Sequence, residues 1–277
     1  MADKMNYDEK NRQELLDELK KLNKAQIRIK RRTTFLLSVI AMLVLVTSTL
    51  AWFTLNSFAS VNNIEMQITT GVDLRVDVDN HGTDINQYKK VVTNDMINQY
   101  LRSASNTSIA DQKLDPVTTS NGVSFTFEKG NAATANNNTY LEYKLWFIAS
   151  REMWVHLSSD VATALDNATT SVTTTETGAK ADVIRAIRLS FEDSGSAEIF
   201  EPNAGSPVNG QTTFDLPTPM SYTNSTRLFH LNKLEPKQIT IRLWAEGNDP
   251  ECDNDVQDAN LTVALLFNGT DENNNTF

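Results

Sequence analysis

Hydrophobic and polar residues alternate along most of the chain after residue 64. Ile64, Met66 and Ile68 are separated by polar residues, and the stretch Val72–Val78 alternates in the same way. A period of two is typical of a strand that buries one face. Six further segments share this pattern: Val123–Phe127, Tyr140–Ile148, Met153–Leu157, Ile184–Phe191, Ile239–Trp244 and Leu261–Phe267.

The segments between these strands are polar. Asn, Thr, Ser and Gly dominate Asn131–Asn138, Asp166–Gly178 and Ser194–Gln211, which are predicted loops. Within Val91–Ser105 the apolar residues fall at helical spacing, which predicts a short helix on a connection. Many strands and few helices favour a mainly β fold, a β-sandwich or jelly roll, formed by residues 54–277 as one domain.

The pattern is different at the N-terminus. Residues 34–51 carry no charge, and Phe35–Val46 is almost uniformly apolar, so residues 34–53 are predicted to form an export or transmembrane segment. Four bases precede it within Arg28–Arg32, which predicts a cytoplasmic N-terminus and an exported body. Apolar residues near helical spacing within residues 1–33 predict a basic amphipathic helix in this cytoplasmic lead.

Two fates of the export segment are open. The strongest apolar run is about as short as a signal-peptide core, and the small residues Thr49 and Ala51 stand at the −3 and −1 positions of a cut before Trp52. The long basic lead is instead more typical of a retained anchor. Residues 54–63 would then be a spacer or stalk, whereas cleavage would free them as a donor segment.

Charge separates the two parts of the chain. Residues 1–33 have a net charge of +4, and the chain after residue 51 has a net charge of −14. A strongly acidic domain repels phosphate backbones, so we expect no nucleic-acid partner. The one cysteine, Cys252, lies among acidic residues that disfavour a thiolate.

Motifs for enzymatic chemistry are missing. The histidines His81, His156 and His230 are scattered, and no His-Glu-x-x-His zinc motif occurs. The alternation favours a solvent-facing or core-edge position for His156, and core packing for the three strand tryptophans Trp146, Trp154 and Trp244. We therefore expect a protein that is not an enzyme.

The loop after Trp244 is the best candidate for a metal site. Carboxylates crowd residues 246–258 and offer the oxygen ligands that Ca²⁺ prefers, although their spacing is not that of an EF-hand. An acidic, solvated turn explains the same residues. The candidate Ca²⁺ ligands are Asp249, Glu251, Asp253, Asp255 and Asp258.

The junction Thr49–Asn56 (TLAWFTLN) and the closing segment Ile241–Cys252 resemble the TasA/camelysin-like group of exported proteins of Gram-positive bacteria. The resemblance covers the leader and both ends of the β body. It implies a signal peptide handled by a SipW-type signal peptidase and a jelly-roll subunit of a surface fibre or biofilm matrix.

The resemblance also implies how such a subunit would polymerise. A mature N-terminal strand would complete the sheet of the next subunit, and its partners would be like subunits or related matrix proteins. Backbone hydrogen bonding to an exposed edge makes this strand addition physically sound. The candidate donor residues are Trp52, Phe53, Leu55, Phe58, Val61 and Ile64.

Two other functions stay open from the sequence. An uncleaved, monomeric product would be a type II membrane-anchored module, attached through residues 34–53, that binds a wall polymer, a glycan or Ca²⁺. A camelysin-like metalloprotease is the third possible function, and the missing zinc motif counts against it.

Overall fold

A computed structural model describes residues 19–24, 26–28, 30–40, 42, 58–69, 73–165, 169–203 and 211–277. The chain divides into two compact units, residues 1–56 and residues 57–277.

The first unit contains one helix, α1, in its described part. Residues 19–24, 26–28, 30–40 and 42 are helical, so the helix includes the end of the predicted basic lead and the start of the predicted export segment. The rest of that segment, residues 41 and 43–53, lies outside the described residues. Among the residues that are described, no helix is both long enough and apolar enough to cross a bilayer.

The second unit is mainly β, as the sequence predicts. In its described residues the strands form two sheets. The first sheet has the order β11-β6-β13-β1-β3, with β4 also paired to β1 and β7 also paired to β13. Its strands are β1 (Ala59–Ile68), β3 (Val91–Val92), β4 (Lys113–Leu114), β6 (Met153–Leu157), β7 (Ser171–Thr173), β11 (Arg227–Leu231) and β13 (Ala259–Thr270).

The second sheet has the order β10-β9-β8-β12-β5-β2 across the described residues. Its strands are β2 (Leu74–Asp77), β5 (Leu141–Ala149), β8 (Ile187–Asp193), β9 (Ser196–Phe200), β10 (Thr213–Phe214) and β12 (Lys237–Ala245). The successive strands β1 and β2 therefore belong to different sheets, and the chain changes sheet between Ile68 and Leu74.

Short helices lie on the connections. The helix α2 (Asn94–Ser105) buries Ile97 and Leu101 and ends at Asn106, whose φ of 53° is the left-handed conformation that closes many helices. The single turn α3 (Val183–Ala186) leads directly into β8. Short 3₁₀ helices occupy Ile85–Gln87, Ile109–Asp111, Val161–Thr163, Gly178–Asp182, Asn224–Thr226 and Asn254–Val256.

Side chains from both sheets meet in one hydrophobic core. Phe147 of β5 packs on Phe267 of β13 with ring centroids 5.2 Å apart, and on Phe229 of β11 at 5.0 Å. Along β5 every second residue from Leu141 to Phe147 is buried, as its period of two predicts. Apolar burial of this extent is the main force that holds the two sheets together.

The alternating segments become strands with one exception. The segment Val123–Phe127 is not a strand, although Thr126 forms isolated bridges to Thr118 and Ala132. Its apolar residue Phe125 packs in a smaller core cluster with Tyr140 and Trp244. The prediction of a strand there is wrong because alternation reports which side chains are buried, and Phe125 is buried against Tyr140 and Trp244 without a continuous ladder of backbone pairs.

The start of Ile184–Phe191 also differs from the prediction. Ile184 belongs to α3, and the strand begins only at Ile187. Conversely, β9 lies within Ser194–Gln211, which the sequence predicts as a loop. The helix predicted within Val91–Ser105 is confirmed.

Candidate functional site

The first strand of the domain lies inside a sheet rather than at its edge. Strand β1 pairs in parallel with β13 over nearly its whole length, from Ala59 opposite Ala259 to Ile68 opposite Phe267. The register shifts once, between Val61 and Asn63. We call the space that β1 fills, between β13 on one side and β3 and β4 on the other, the β1 slot.

The opposite side of the β1 slot is only partly closed by strands. Strand β4 pairs with Ala59 and Ser60, and β3 pairs with Met66 and Gln67. Between these pairs, the backbone N–H of Ile64 donates to the side-chain oxygen of Asn94, 3.3 Å away at the start of α2. The first residue of α2 thus replaces a strand partner in the middle of β1.

The inner face of β1 is a large part of the core. Val61, Ile64, Met66 and Ile68 are each no more than 1% exposed. Burial of one such side chain stabilises a fold by about 1.5–3 kcal/mol. Without β1, the slot would expose a correspondingly large apolar surface, together with the unpaired backbone of the long strand β13.

The candidate donor residues fall into two groups. Phe58, Val61 and Ile64 are buried in the described part, at the start of β1 and in its first half. Trp52, Phe53 and Leu55 lie outside the described residues, as do the cleavage-site residues Thr49 and Ala51.

The acidic loop is organised by hydrogen bonds and ion pairs of its own. A carboxylate oxygen of Asp249 accepts a hydrogen bond from Arg188 over 2.6 Å, and its other oxygen accepts from the Glu251 backbone over 3.0 Å. Burial acts to raise the pKa of Asp249, but hydrogen bonds from Glu251 and Arg188 hold it below its ordinary value. Asp253 accepts from the Asp255 backbone N–H over 2.8 Å and begins a 3₁₀ helix.

These carboxylates are not gathered around a common centre. Within the described part of the chain, which includes all of residues 246–258, no three His, Cys, Asp or Glu side chains are placed to hold a metal ion. The five candidate Ca²⁺ ligands are therefore distributed along the loop. Asp249 instead belongs to a buried ionic cluster that the sequence analysis missed.

That cluster is centred on Arg188 of β8, a fully buried arginine. Its guanidinium lies 2.8 Å from a carboxylate oxygen of Glu201 and 2.6 Å from Asp249. Beside it, the buried carboxylate of Glu246 accepts hydrogen bonds from the Trp244 indole over 3.1 Å and from Gln211 over 2.6 Å. An arginine inside an apolar strand needs buried partners, and this is the signal that points to the cluster from sequence.

His156 has no exposed surface, so it is not the solvent-facing or core-edge residue that its position in an alternating strand predicts. Its two ring nitrogens lie 3.0 Å from the Thr226 hydroxyl and 2.9 Å from the Thr270 hydroxyl. Burial lowers the pKa of His156 to about 4. The ring is therefore neutral and internally hydrogen-bonded, which is the state of a structural residue.

The strand tryptophans and the cysteine differ in burial and in their contacts within the domain. Trp244 is fully buried, and the guanidinium of Arg227 covers the ring of Trp154 at 4.5 Å from its centroid. Trp146 is partly exposed on β5. Burial raises the pKa of the Cys252 thiol, and the neighbouring Asp249 and Glu246 raise it further.

No protein-family model, no curated protein and no solved structure matches this chain. The internal geometry therefore carries the functional argument. The element of most interest is β1, the first strand of the domain. It fills the β1 slot inside the first sheet and begins soon after the predicted leader junction.

Proposed function

We propose that this chain is a non-enzymatic structural protein of the cell surface or extracellular matrix, and that it assembles with like subunits by exchanging its first strand. In this proposal the protein is exported, the leader is removed before Trp52, and the domain is a jelly-roll-type β-sandwich related to the TasA/camelysin-like group. Membrane attachment through residues 34–53 precedes cleavage.

The position of β1 carries the proposal. Strand β1 is the first strand of its domain, and its loss would open a slot that is lined by the long strand β13. A copy of β1 from a neighbouring subunit would restore the same contacts, so exchange costs little at equilibrium beyond the entropy of association. Each subunit would then offer one free strand and one free slot, and these head-to-tail contacts form an open filament.

The change of sheet after Ile68 also supports exchange. Strand β1 lies in the first sheet and β2 in the second, so their connection does not hold them together as a hairpin. In this proposal, the chain between Ile68 and Leu74 would act as the hinge that lets β1 leave its own domain. The candidate donor residues Phe58, Val61 and Ile64 would travel with it.

The polar clusters inside the domain support a structural role. Arg188, Glu246 and His156 are buried, and each has partners within the domain. Buried polar groups that pair with one another inside a domain help to specify its fold. The acidic surface favours solubility before assembly.

A disulfide pair across the β1 slot tests strand exchange. Glu65 and Ala264 are cross-strand partners of β1 and β13, and neither is buried. The variant Glu65→Cys/Ala264→Cys, in a Cys252→Ala background, is exported by cells, oxidised and run on a non-reducing gel. Exchange predicts disulfide-linked multimers, because the two cysteines of one slot then come from different chains.

The matched control pairs two strands that exchange leaves together. Lys144 of β5 and Thr240 of β12 are cross-strand partners in the second sheet, so Lys144→Cys/Thr240→Cys should give only disulfides within one chain. If the β1–β13 pair also gives only disulfides within one chain, each subunit keeps its own β1 and the proposal fails.

Export and cleavage have a separate test. The N-terminal sequence and intact mass of the protein from native cells should show a start at or next to Trp52. An intact Met1 start would contradict cleavage, and the protein would then be a tethered ectodomain.

A further inference from the structure

A pocket opens close to the start of β1. Its cavity volume is about 390 Å³, within the range of small-ligand sites. Three segments line it: Pro116–Thr118, which follow β4, the turn Phe127–Asn131, and Gly247–Asn248, which follow β12.

The pocket has a firm apolar floor. Val117 is 1% exposed and belongs to the smaller core cluster, and Phe127 packs against that cluster. A Cβ atom on Gly247 would lie only 3.3 Å from the Cβ of Pro116, so glycine permits the close approach of these two segments. The floor is therefore set by packed backbone rather than by movable side chains.

The wall formed by Phe127–Asn131 is a closed turn. The Phe127 N–H donates to the Asn131 carbonyl over 2.9 Å, and the Gly130 N–H donates to the Phe127 carbonyl over 2.8 Å. Its two charged residues, Glu128 and Lys129, have opposite signs. A pocket with an apolar floor and a wall of no net charge favours an uncharged, apolar occupant.

The register of β1 on β4 indicates where such an occupant comes from. Ala59 pairs with Leu114 and Ser60 pairs with Lys113 in antiparallel order. In this register, residues that precede Ala59 lie opposite residues that follow Leu114. A neighbouring copy's strand that enters the slot in this register would direct the residues before its Phe58 along Pro116–Thr118. Those are the residues that line the pocket.

We propose that this pocket is the docking site for the apolar side chains of Trp52, Phe53 and Leu55 of a neighbouring copy. The inference rests on the proposed strand exchange and names a second part of the acceptor surface. The side chains from Trp52 to Phe58 carry no charge. When extended it reaches roughly 20 Å, which is enough to run from the start of the slot across the pocket.

The pocket gives the exchanged strand an anchor beyond the sheet. Backbone pairing in the slot is the same for any strand of suitable pattern, whereas an aromatic side chain in a shaped pocket selects a particular sequence. The pocket therefore fixes which strand enters and in which register.

A photo-crosslinker placed in the donor segment tests this docking. The full chain is produced with p-benzoylphenylalanine in place of Phe53, as a mixture of ¹⁴N-labelled and ¹⁵N-labelled protein, and is irradiated after export and assembly. Mass spectrometry should find adducts on peptides containing residues 116–118, 127–131 or 247–248, with both isotopes in one adduct.

Two control variants sharpen the result. The photo-crosslinker at Glu152, next to β6 at the Thr270 end of β13, should give no pocket adducts because Ala59 pairs at the opposite end. Asn131→Trp on the rim fills the pocket, and pocket adducts from position 53 should be lost.

The outcomes separate the pocket from strand exchange. Multimers of the Glu65→Cys/Ala264→Cys variant without pocket adducts would overturn the docking site and leave the exchange intact. Pocket adducts that form only within single chains would overturn the proposed neighbour as occupant. Mixed-isotope pocket adducts that Asn131→Trp abolishes support the proposal.

Discussion

The hydroxyl of Ser60 donates a hydrogen bond to the side-chain oxygen of Asn260 over 2.8 Å, although the two residues are 200 positions apart. The bond joins the first strand of the domain to the last. Both ends of the domain must be present before this sheet is complete, and contacts of such large sequence separation form slowly. A subunit whose first strand is inserted last therefore has a period in which another copy's strand can take its place.

Ile64 gives the clearest measure of what β1 contributes. Its side chain is fully buried in the core, so Ile64→Ala should lower the free energy of unfolding by about 2–5 kcal/mol. Asn62 is exposed on the same strand, and Asn62→Ala should change little. Urea denaturation of the two variants checks this, and equal stabilities would mean that β1 contributes no core contacts.

The sequence predicts the long strands well because their period of two matches one-sided burial. Alternation predicts β5, β6 and β12 to within two residues at each end, but it predicts only the second half of β1 and the middle of β13. Short strands are different. For β9, Ser196–Phe200, the burial is confined to the last two residues, and such a polar segment does not differ from a loop by pattern alone.

Pairing is the part of the fold that local pattern does not determine. Alternation in β1 and β13 indicates one buried face on each, but it does not show that the two strands pair in parallel across about 200 residues. For the same reason the β1 slot is not visible in the sequence, and the arginine in the apolar segment of β8 signals buried partners without identifying Glu201 and Asp249. The crowded carboxylates of the acidic loop suggest a Ca²⁺ site in the sequence, and local pattern does not show that Asp249 pairs with Arg188 on β8.

Tyr143 carries a polar group that the core does not satisfy. Its hydroxyl is buried and has no hydrogen-bond partner among the described residues, and burial raises the pKa of this hydroxyl. Removal of this group by Tyr143→Phe should therefore raise the free energy of unfolding by about 1–3 kcal/mol.

The control for Tyr143 is a tyrosine whose hydroxyl is paired. The hydroxyl of Tyr222 donates to Ser158 over 2.9 Å and accepts from Asn268 over 2.7 Å, so Tyr222→Phe should destabilise the domain. Thermal or urea unfolding distinguishes the two signs. If Tyr143→Phe is also destabilising, its hydroxyl has a partner in solution.

His156 should make the domain sensitive to acid. Its pKa is about 4 in the folded protein against an ordinary value of 6.5, so the unfolded chain takes up a proton first as the pH falls. The stability that depends on the neutral ring is complete above pH 6.5 and is lost as the pH falls towards 4. The loss from this group is about 3 kcal/mol.

Denaturation curves at several pH values test the assignment to His156. His156→Gln should remove this group's contribution to the pH slope between 6.5 and 4, whereas His230→Gln should keep it. Identical pH profiles of the wild type and His156→Gln would show that another group is responsible.

Arg188 neutralises buried carboxylates, and its removal should lower the free energy of unfolding. Arg188→Met leaves Glu201 and Asp249 without their cation, and loss of one partner of a buried ion pair costs about 3–5 kcal/mol. Arg185 is the matched control. Its side chain is 54% exposed and lies 3.6 Å from Asp182, so Arg185→Met should cost less than about 1 kcal/mol.

The acid response of the Arg188→Met variant separates charge from packing. If the lost charge is the cause, protonation of the two carboxylates should reduce the deficit relative to wild type as the pH falls. A deficit that is constant with pH would instead indicate a packing defect.

Gly122 is required by two constraints at once. Its φ is +67°, and a Cβ atom there would lie 2.9 Å from the Cβ of Ser190 and 3.1 Å from a side-chain carbon of Ile199. Gly82 has a similar φ of +63°, but no atom of the described part of the chain lies within 4 Å of the corresponding Cβ position. Gly82→Ala should therefore cost only the left-handed backbone strain of about 1–2 kcal/mol.

Gly122→Ala should cost more than Gly82→Ala by a further ~1–3 kcal/mol, because β8 and β9 must also move to relieve the overlap. The difference between the two unfolding free energies measures the packing contribution directly, since the backbone contribution is common to both. Equal losses would mean that the 122 loop lifts away from the sheet at no cost. The hydrogen bond from the Ser190 hydroxyl to the Gly122 carbonyl, 2.7 Å long, argues against such lifting because it ties the loop to β8.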